Sequence, residues 1–161
     1  MTGAAAGGGQ RSPDLEREPR DGLRLRWLPA VREPAFPLEH DYFEIAYTPL
    51  VGPSAVLLAR AMARHLRAAG GPTTVSSIEL ALEVGIRGGS GSELGQRSHL
   101  VRAMGRLVRT HVVAPLGEHV VGVRCGVPPL SGRALRKVPV STREAHARFV
   151  RDLGCDATPE D

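Results

Sequence analysis

Four arginines and no acid occupy the stretch Gln96-Arg97-Ser98-His99-Leu100-Val101-Arg102-Ala103-Met104-Gly105-Arg106-Leu107-Val108-Arg109. A guanidinium is a planar fork of donors that grips a phosphate or the O6/N7 edge of guanine. Turned at about 100° per residue, the stretch splits into two arcs. Leu100, Val101, Met104, Leu107 and Val108 fall on one, and His99, Arg102, Arg106 and Arg109 on the other. The first arc wants a core and the second wants anions. If such a helix enters a major groove by its N-terminal end, Gln96, Arg97, Ser98, His99 and Arg102 are the candidate base readers, Gln suiting adenine and Arg guanine. Arg106 and Arg109 then sit nearer the backbone and position the helix. Gly105, inside the stretch, costs about 1 kcal/mol relative to Ala.

The flanking chain must hold that helix. Gly52-Pro53-Ser54 opens a helix with an apolar stripe of Ala55, Leu58, Ala59, Met62 and Leu66, and Gly70-Gly71-Pro72 stops it. Its second stripe, Arg60, Arg64 and Arg67, reads as a solvated face. Thr73-Thr74-Val75 is β-prone. Ser76-Ser77-Ile78-Glu79 matches a capping box, in which the serine accepts from an amide three residues on. Ile78, Leu80, Ala81, Leu82 and Val84 are the apolar positions of that second helix, which Gly85 ends with positive φ. A glycine-rich loop to Gly95 follows, in which Ser92 is a cap candidate. Beyond the arginine helix, taken as 96–110, a hairpin covers 111–125: a strand-like His111-Val112-Val113-Ala114, a turn at Pro115-Leu116-Gly117, and a second strand from Glu118 to Cys125. His119, near that turn, is a candidate for a flanking groove and Arg124 for a phosphate. Upstream, Trp27, Phe36, Tyr42, Phe43 and Tyr47 are five of the six aromatics, and Pro29, Pro34 and Pro37 forbid a long helix. This segment reads as an extended arm that docks its rings on the domain, or on a second copy, and ends in a short strand at 42–47. Two helical segments are expected near 131–137 and 141–153.

The order helix, short strand, helix, turn, helix, hairpin resembles the winged helix-turn-helix domains of bacterial transcription regulators. Ile78-Glu79-Leu80-Ala81-Leu82-Glu83-Val84-Gly85 is similar to the element in which a small Ala lets two helices cross and a Gly makes the turn. Ser98-His99-Leu100-Val101-Arg102-Ala103-Met104-Gly105-Arg106-Leu107-Val108-Arg109 is similar to a recognition helix leading into a wing. The likeness covers about residues 47–126. It departs in the loop of 85–95, much longer than the tight turn of the motif. The resemblance implies an α+β, mostly α fold: a three-helix core plus a β-hairpin wing, with a C-terminal helical extension. It implies double-stranded DNA as partner, a transcriptional regulator as function, and a homodimer through residues 143–153 on paired half-sites. A winged helix that docks on protein inside a larger replication, phage or plasmid assembly is the alternative.

Charge agrees with a polyanion partner. The net charge of the 161 residues is +4, unevenly spread. Residues 47–138 hold eleven Arg and one Lys against four Glu, whereas 1–46 hold six Arg against eight acids and 139–161 three Arg against five. Enzyme chemistry finds no motif: there is no HExxH, no phosphate loop ending in Gly-Lys-Ser/Thr, no GxSxG and no paired-cysteine zinc site. No cofactor or metal is expected; His40, Asp41 and Glu44 read as polar residues of an amphipathic strand. The two cysteines, Cys125 and Cys155, form no disulfide framework, and neither a secretory leader nor a membrane-length apolar run is visible. These features fit a cytoplasmic, nucleoid-associated protein of a high-GC bacterium. The expected layout is a disordered tail (1–22), an aromatic arm (23–47), the winged domain (48–126), a helical extension (127–153) and a second loose tail (154–161).

Overall fold

The computed structural model describes residues 22–29, 35–87 and 93–155, with only the backbone of 93–98 and 155. The expected loose tails, apart from residues 22, 154 and 155, and the Ser92 cap lie outside the described residues. The chain is α+β and mostly helical.

Strand β1 (Leu23–Trp27) alternates as its sequence does: Leu23 and Leu25 are buried, Arg24 and Arg26 exposed. Two residues, Phe36–Pro37, form β2. Next comes a wide π-type helical turn, Phe43–Tyr47, which leads into the short helix α1 (Thr48–Val51). This corrects the strand expected at 42–47. Tyr42, Phe43, Ala46 and Tyr47 are all buried, and their spacing of one, three and one residues suits a helical face rather than a pleat. Aromatic content suggested a strand; periodicity decided against it.

Helix α2 (Pro53–Ala69) buries the predicted stripe and adds Val56, Ala61 and Ala63. Strand β3 (Thr73–Val75) and helix α3 (Ser77–Glu83) follow. Ser76 does cap α3, but its Oγ accepts from the Ile78 amide two residues on, at 3.2 Å. Of the apolar set in α3, Leu80 and Ala81 are buried, whereas Ile78 and Leu82 are exposed. Helix α4 (Glu93–Arg109) runs into β4 (Val113–Gly117) and β5 (Val120–Val123).

Helices α2, α3 and α4 end in the same Schellman geometry. Gly70, Gly85 and His111 each take left-handed φ, at 69°, 75° and 58°. Each donates to a carbonyl three residues back, and the following residue donates to the carbonyl five back. In α4 these bonds are His111 N–H to Val108 and Val112 N–H to Leu107, both 3.0 Å.

The sheet order is β3-β1-β5-β4. β1 runs antiparallel to β3 and parallel to β5, with Leu25 opposite Thr73 on one side and Val121 on the other. The arm therefore supplies a central strand. The hairpin turn is at Glu118–His119 and not at 115–117, because β4 is an edge strand, where Pro115 needs no ladder donor.

Strand β6 (Gly126–Val127) pairs with β2, after which come α5 (Gly132–Leu135) and α6 (Val140–Cys155). α6 docks on the aromatic arm of its own chain: Phe149 lies edge-on to Phe36 and Tyr42. The Tyr42 hydroxyl accepts from the Leu130 amide at 2.8 Å and meets His146 Nδ1 at 2.8 Å. Tyr47 donates to the Pro128 carbonyl at 2.9 Å. Burial pushes both phenols above their ordinary value and holds the His146 imidazole below its own.

Candidate nucleic-acid interface

The two arcs of α4 separate as their spacing requires. Leu100, Ala103, Met104, Leu107 and Val108 are buried, Val101 is partly buried, and Gly105 lies on the packed side. His99, Arg102, Arg106 and Arg109 are exposed along the opposite side. The side chains of Gln96, Arg97 and Ser98 lie outside the described residues. Arg106 and Arg109 stand in the last turn, where a cation also stabilises the carbonyl end of the helix.

Arg106 is anchored. Its Nη1 donates to the Val51 carbonyl at 3.3 Å, at the junction of α1 and α2. Gly52 makes that junction with φ 85° and ψ 157°, a region open essentially to glycine alone. A Cβ on Gly52 would lie 2.8 Å from the same Nη1. The junction thus sets where one arginine of the outward arc rests. Among the described residues, His99, Arg102 and Arg109 make no ion pair or side-chain hydrogen bond.

The arginines of α2 differ. Arg60 reaches Glu44 at 2.5 Å and also donates to the carbonyls of Leu38 and His40. Arg64 lies 3.5 Å from Glu83, which also meets His65 at 2.5 Å. Arg67 forks onto both oxygens of Glu39 and lies over the Trp27 ring, 5.7 Å from its centroid. Burial alone would raise the Glu39 carboxyl; the Arg67 hydrogen bonds and charge, with Arg60 behind, hold it below its ordinary value. The α2 stripe is therefore neither a free basic face nor simply solvated: it is neutralised by acids from three distant positions. A shallow depression of about 190 Å³ lined by Arg64, His65, Ala68 and Glu83 lies on this neutralised side.

The hairpin is less basic than its sequence suggests. His119 takes φ 57° in the turn, and its side chain is only 16 % exposed, 3.6 Å from the Glu118 carboxylate. Glu118, 81 % exposed, is the more prominent charge at the tip. Arg124 lies past the other end of β5. Its amide donates to Val112 and its Nε is enclosed without a hydrogen-bond partner, so this side chain is turned partly inward beside Tyr47. Sequence reasoning passed over Arg24 and Arg26. Their alternation with Leu23 and Leu25 was the available signal, and Arg24 pairs with Val120 beside the hairpin turn.

Comparison of the chain with protein-family models, curated proteins and solved structures finds no match. Among the described residues no helix is long and apolar enough to cross a membrane.

Proposed function

We propose that this protein binds double-stranded DNA as a winged helix-turn-helix regulator of transcription, with α4 as recognition helix and the β4–β5 hairpin as wing. One observation carries the reading. The arginines of α2 are matched by Glu39, Glu44 and Glu83, whereas Arg102 and Arg109 on α4 have no acid partner among the described residues. A face whose cations are unneutralised attracts phosphates and releases their counterions. The element order α2, β3, α3, α4, β4, β5 supports the winged-helix reading; β1, which stands between β3 and the hairpin, is an addition to that pattern. His99 and Arg102 lie toward the end that enters the groove, while Arg106 and Arg109 position the helix. A homodimer through 143–153 would use the outward side of α6, since Ala145, His146 and Phe149 are engaged within the chain.

The test is fluorescence anisotropy of labelled random duplex with wild type and with Arg102→Glu/Arg109→Glu, a pair that leaves the Arg106 anchor intact. Removing both arginines weakens binding at least about 30-fold, with the helical circular dichroism unchanged. Wild-type affinity in the variant sinks the reading.

Adaptor function is the second reading. Ile78 and Leu82, one turn apart on α3, are 37 % and 55 % exposed, and the hairpin tip carries an acid. A wild-type protein that ignores duplex at low salt yet co-purifies with a protein partner through Ile78 and Leu82 would favour it.

A further inference from the structure

From His119 to Arg143 the chain holds no acid, and it carries Arg124, Arg133, Arg136, Lys137 and Arg143. Helix α5 arranges three of these cations. Ser131 caps it by accepting from the Ala134 amide at 3.3 Å. Ala134 and Leu135 pack partly against the core and Val138 is buried, so the turn is fixed from within. Gly132, Arg133, Arg136 and Lys137 are then all exposed on the outer side, and Arg143 is exposed on the first turn of α6. Among the described residues none of these four cations has an ion-pair partner. The remainder of α6 differs in carrying Glu144 and Asp152 among its arginines.

We propose that the α5 turn is a second phosphate-contacting surface, which grips the backbone of the same duplex that α4 reads; this rests on the DNA-binding reading of α4. Charge without apolar area suits phosphates better than a protein partner. A protein interface wants an apolar or aromatic centre, and Val140 is the sole exposed large apolar side chain close by in sequence. A run of touching groups limits the distance between the two surfaces. Arg106 meets the Val51 carbonyl, at the end of α1. At the other end of α1, about 6 Å away, Tyr47 bonds Pro128. Gly132 follows Pro128 by four residues, which span at most about 14 Å. With the Tyr47 side chain and the two hydrogen bonds added to that run, both surfaces lie within little more than one duplex turn, roughly 34 Å. A phosphate grip of this kind adds affinity and salt dependence without reading sequence.

The test compares wild type, Arg133→Ser/Arg136→Ser/Lys137→Ser and Arg102→Glu/Arg109→Glu on a duplex of roughly 20 base pairs, with affinity measured from about 50 to 200 mM salt. The α5 changes touch none of the side chains that seat the turn, and thermal melts of each variant check that the fold is kept. Each phosphate that is no longer neutralised lowers the slope of log affinity on log salt by about 0.9. Over that salt range wild type should lose about 10- to 40-fold more affinity than the α5 variant, if α5 neutralises two or three phosphates, with sequence preference unaltered. An α5 variant with wild-type affinity and slope overturns the inference and leaves α4 standing. An α4 variant that binds like wild type, beside an α5 variant that does not, overturns the α4 reading and with it the shared grip, and leaves α5 as a phosphate-contacting surface by itself. A wild type that binds no duplex overturns both.

Discussion

Gly52→Ala links the fold to the proposed interface through one carbon atom. Gly52 combines φ 85° with ψ 157°, and an alanine held there costs about 1–3 kcal/mol in backbone strain. The new Cβ would also stand 2.8 Å from Arg106 Nη1. That nitrogen ends a flexible side chain, so the guanidinium swings aside at little steric cost and gives up its bond to the Val51 carbonyl. A half-open hydrogen bond of that kind contributes about 0.5–1.5 kcal/mol. The summed loss, about 1.5–4.5 kcal/mol, is a large part of a usual stability of about 5–15 kcal/mol. Urea unfolding of Gly52→Ala, Arg106→Ala and the double variant separates the two parts. In the Arg106→Ala background that bond is already absent, so the glycine substitution should cost about 0.5–1.5 kcal/mol less there. Gly52→Ala at under about 0.5 kcal/mol would show that the junction does not hold this conformation. Strictly additive single costs would show that Arg106 does not rest on it.

Three further outcomes follow from the packing. His111→Gly relieves a left-handed side chain at the end of α4 and should stabilise the protein by about 1 kcal/mol in urea unfolding; destabilisation would mean that the His111 side chain contributes more than its strain costs. Leu25→Ala removes a fully buried side chain from the central strand and should cost about 2–5 kcal/mol; a loss below about 1 kcal/mol would place β1 outside the core. The third concerns pH. His146 is held below its ordinary value by burial, so the unfolded chain takes up this proton first as pH falls. Its contribution is intact above the unfolded value of about 6.5 and is lost as pH drops through the lower folded one. Unfolding midpoints should fall more steeply with acid in wild type than in His146→Leu, and equal slopes would show that burial does not hold the His146 imidazole below its ordinary value.

How much of this was legible in the sequence depends on how local each cause is. The two arcs of α4 repeat every few residues and need no distant partner, so Leu100, Met104, Leu107 and Arg102, Arg106, Arg109 sort themselves. Gly70 and Gly85 announce helix ends because glycine favours left-handed φ; His111 does the same job with no such marker. β1 was missed for a different reason. Its Leu-Arg-Leu-Arg alternation is plain, but its parallel partner β5 lies nearly a hundred residues on, and Pro29, Pro34 and Pro37 suggested an unpaired arm. The neutralisation of Arg60, Arg64 and Arg67 was equally hidden, since Glu39, Glu44 and Glu83 come from other elements. Pro115 misled because proline in an edge strand and proline in a turn look alike until the strand order is known. Arg124 looked like a wing cation, and only packing turns its Nε inward.

Amide chemical-shift mapping during titration with random duplex tests the interface most directly. Perturbations should cluster at His99, Arg102, Arg106 and Arg109 and fade with added salt, while Arg60, Arg64 and Arg67 on α2 stay unmoved. Shifts gathered on α2, or none at all at low salt, would contradict the proposed interface.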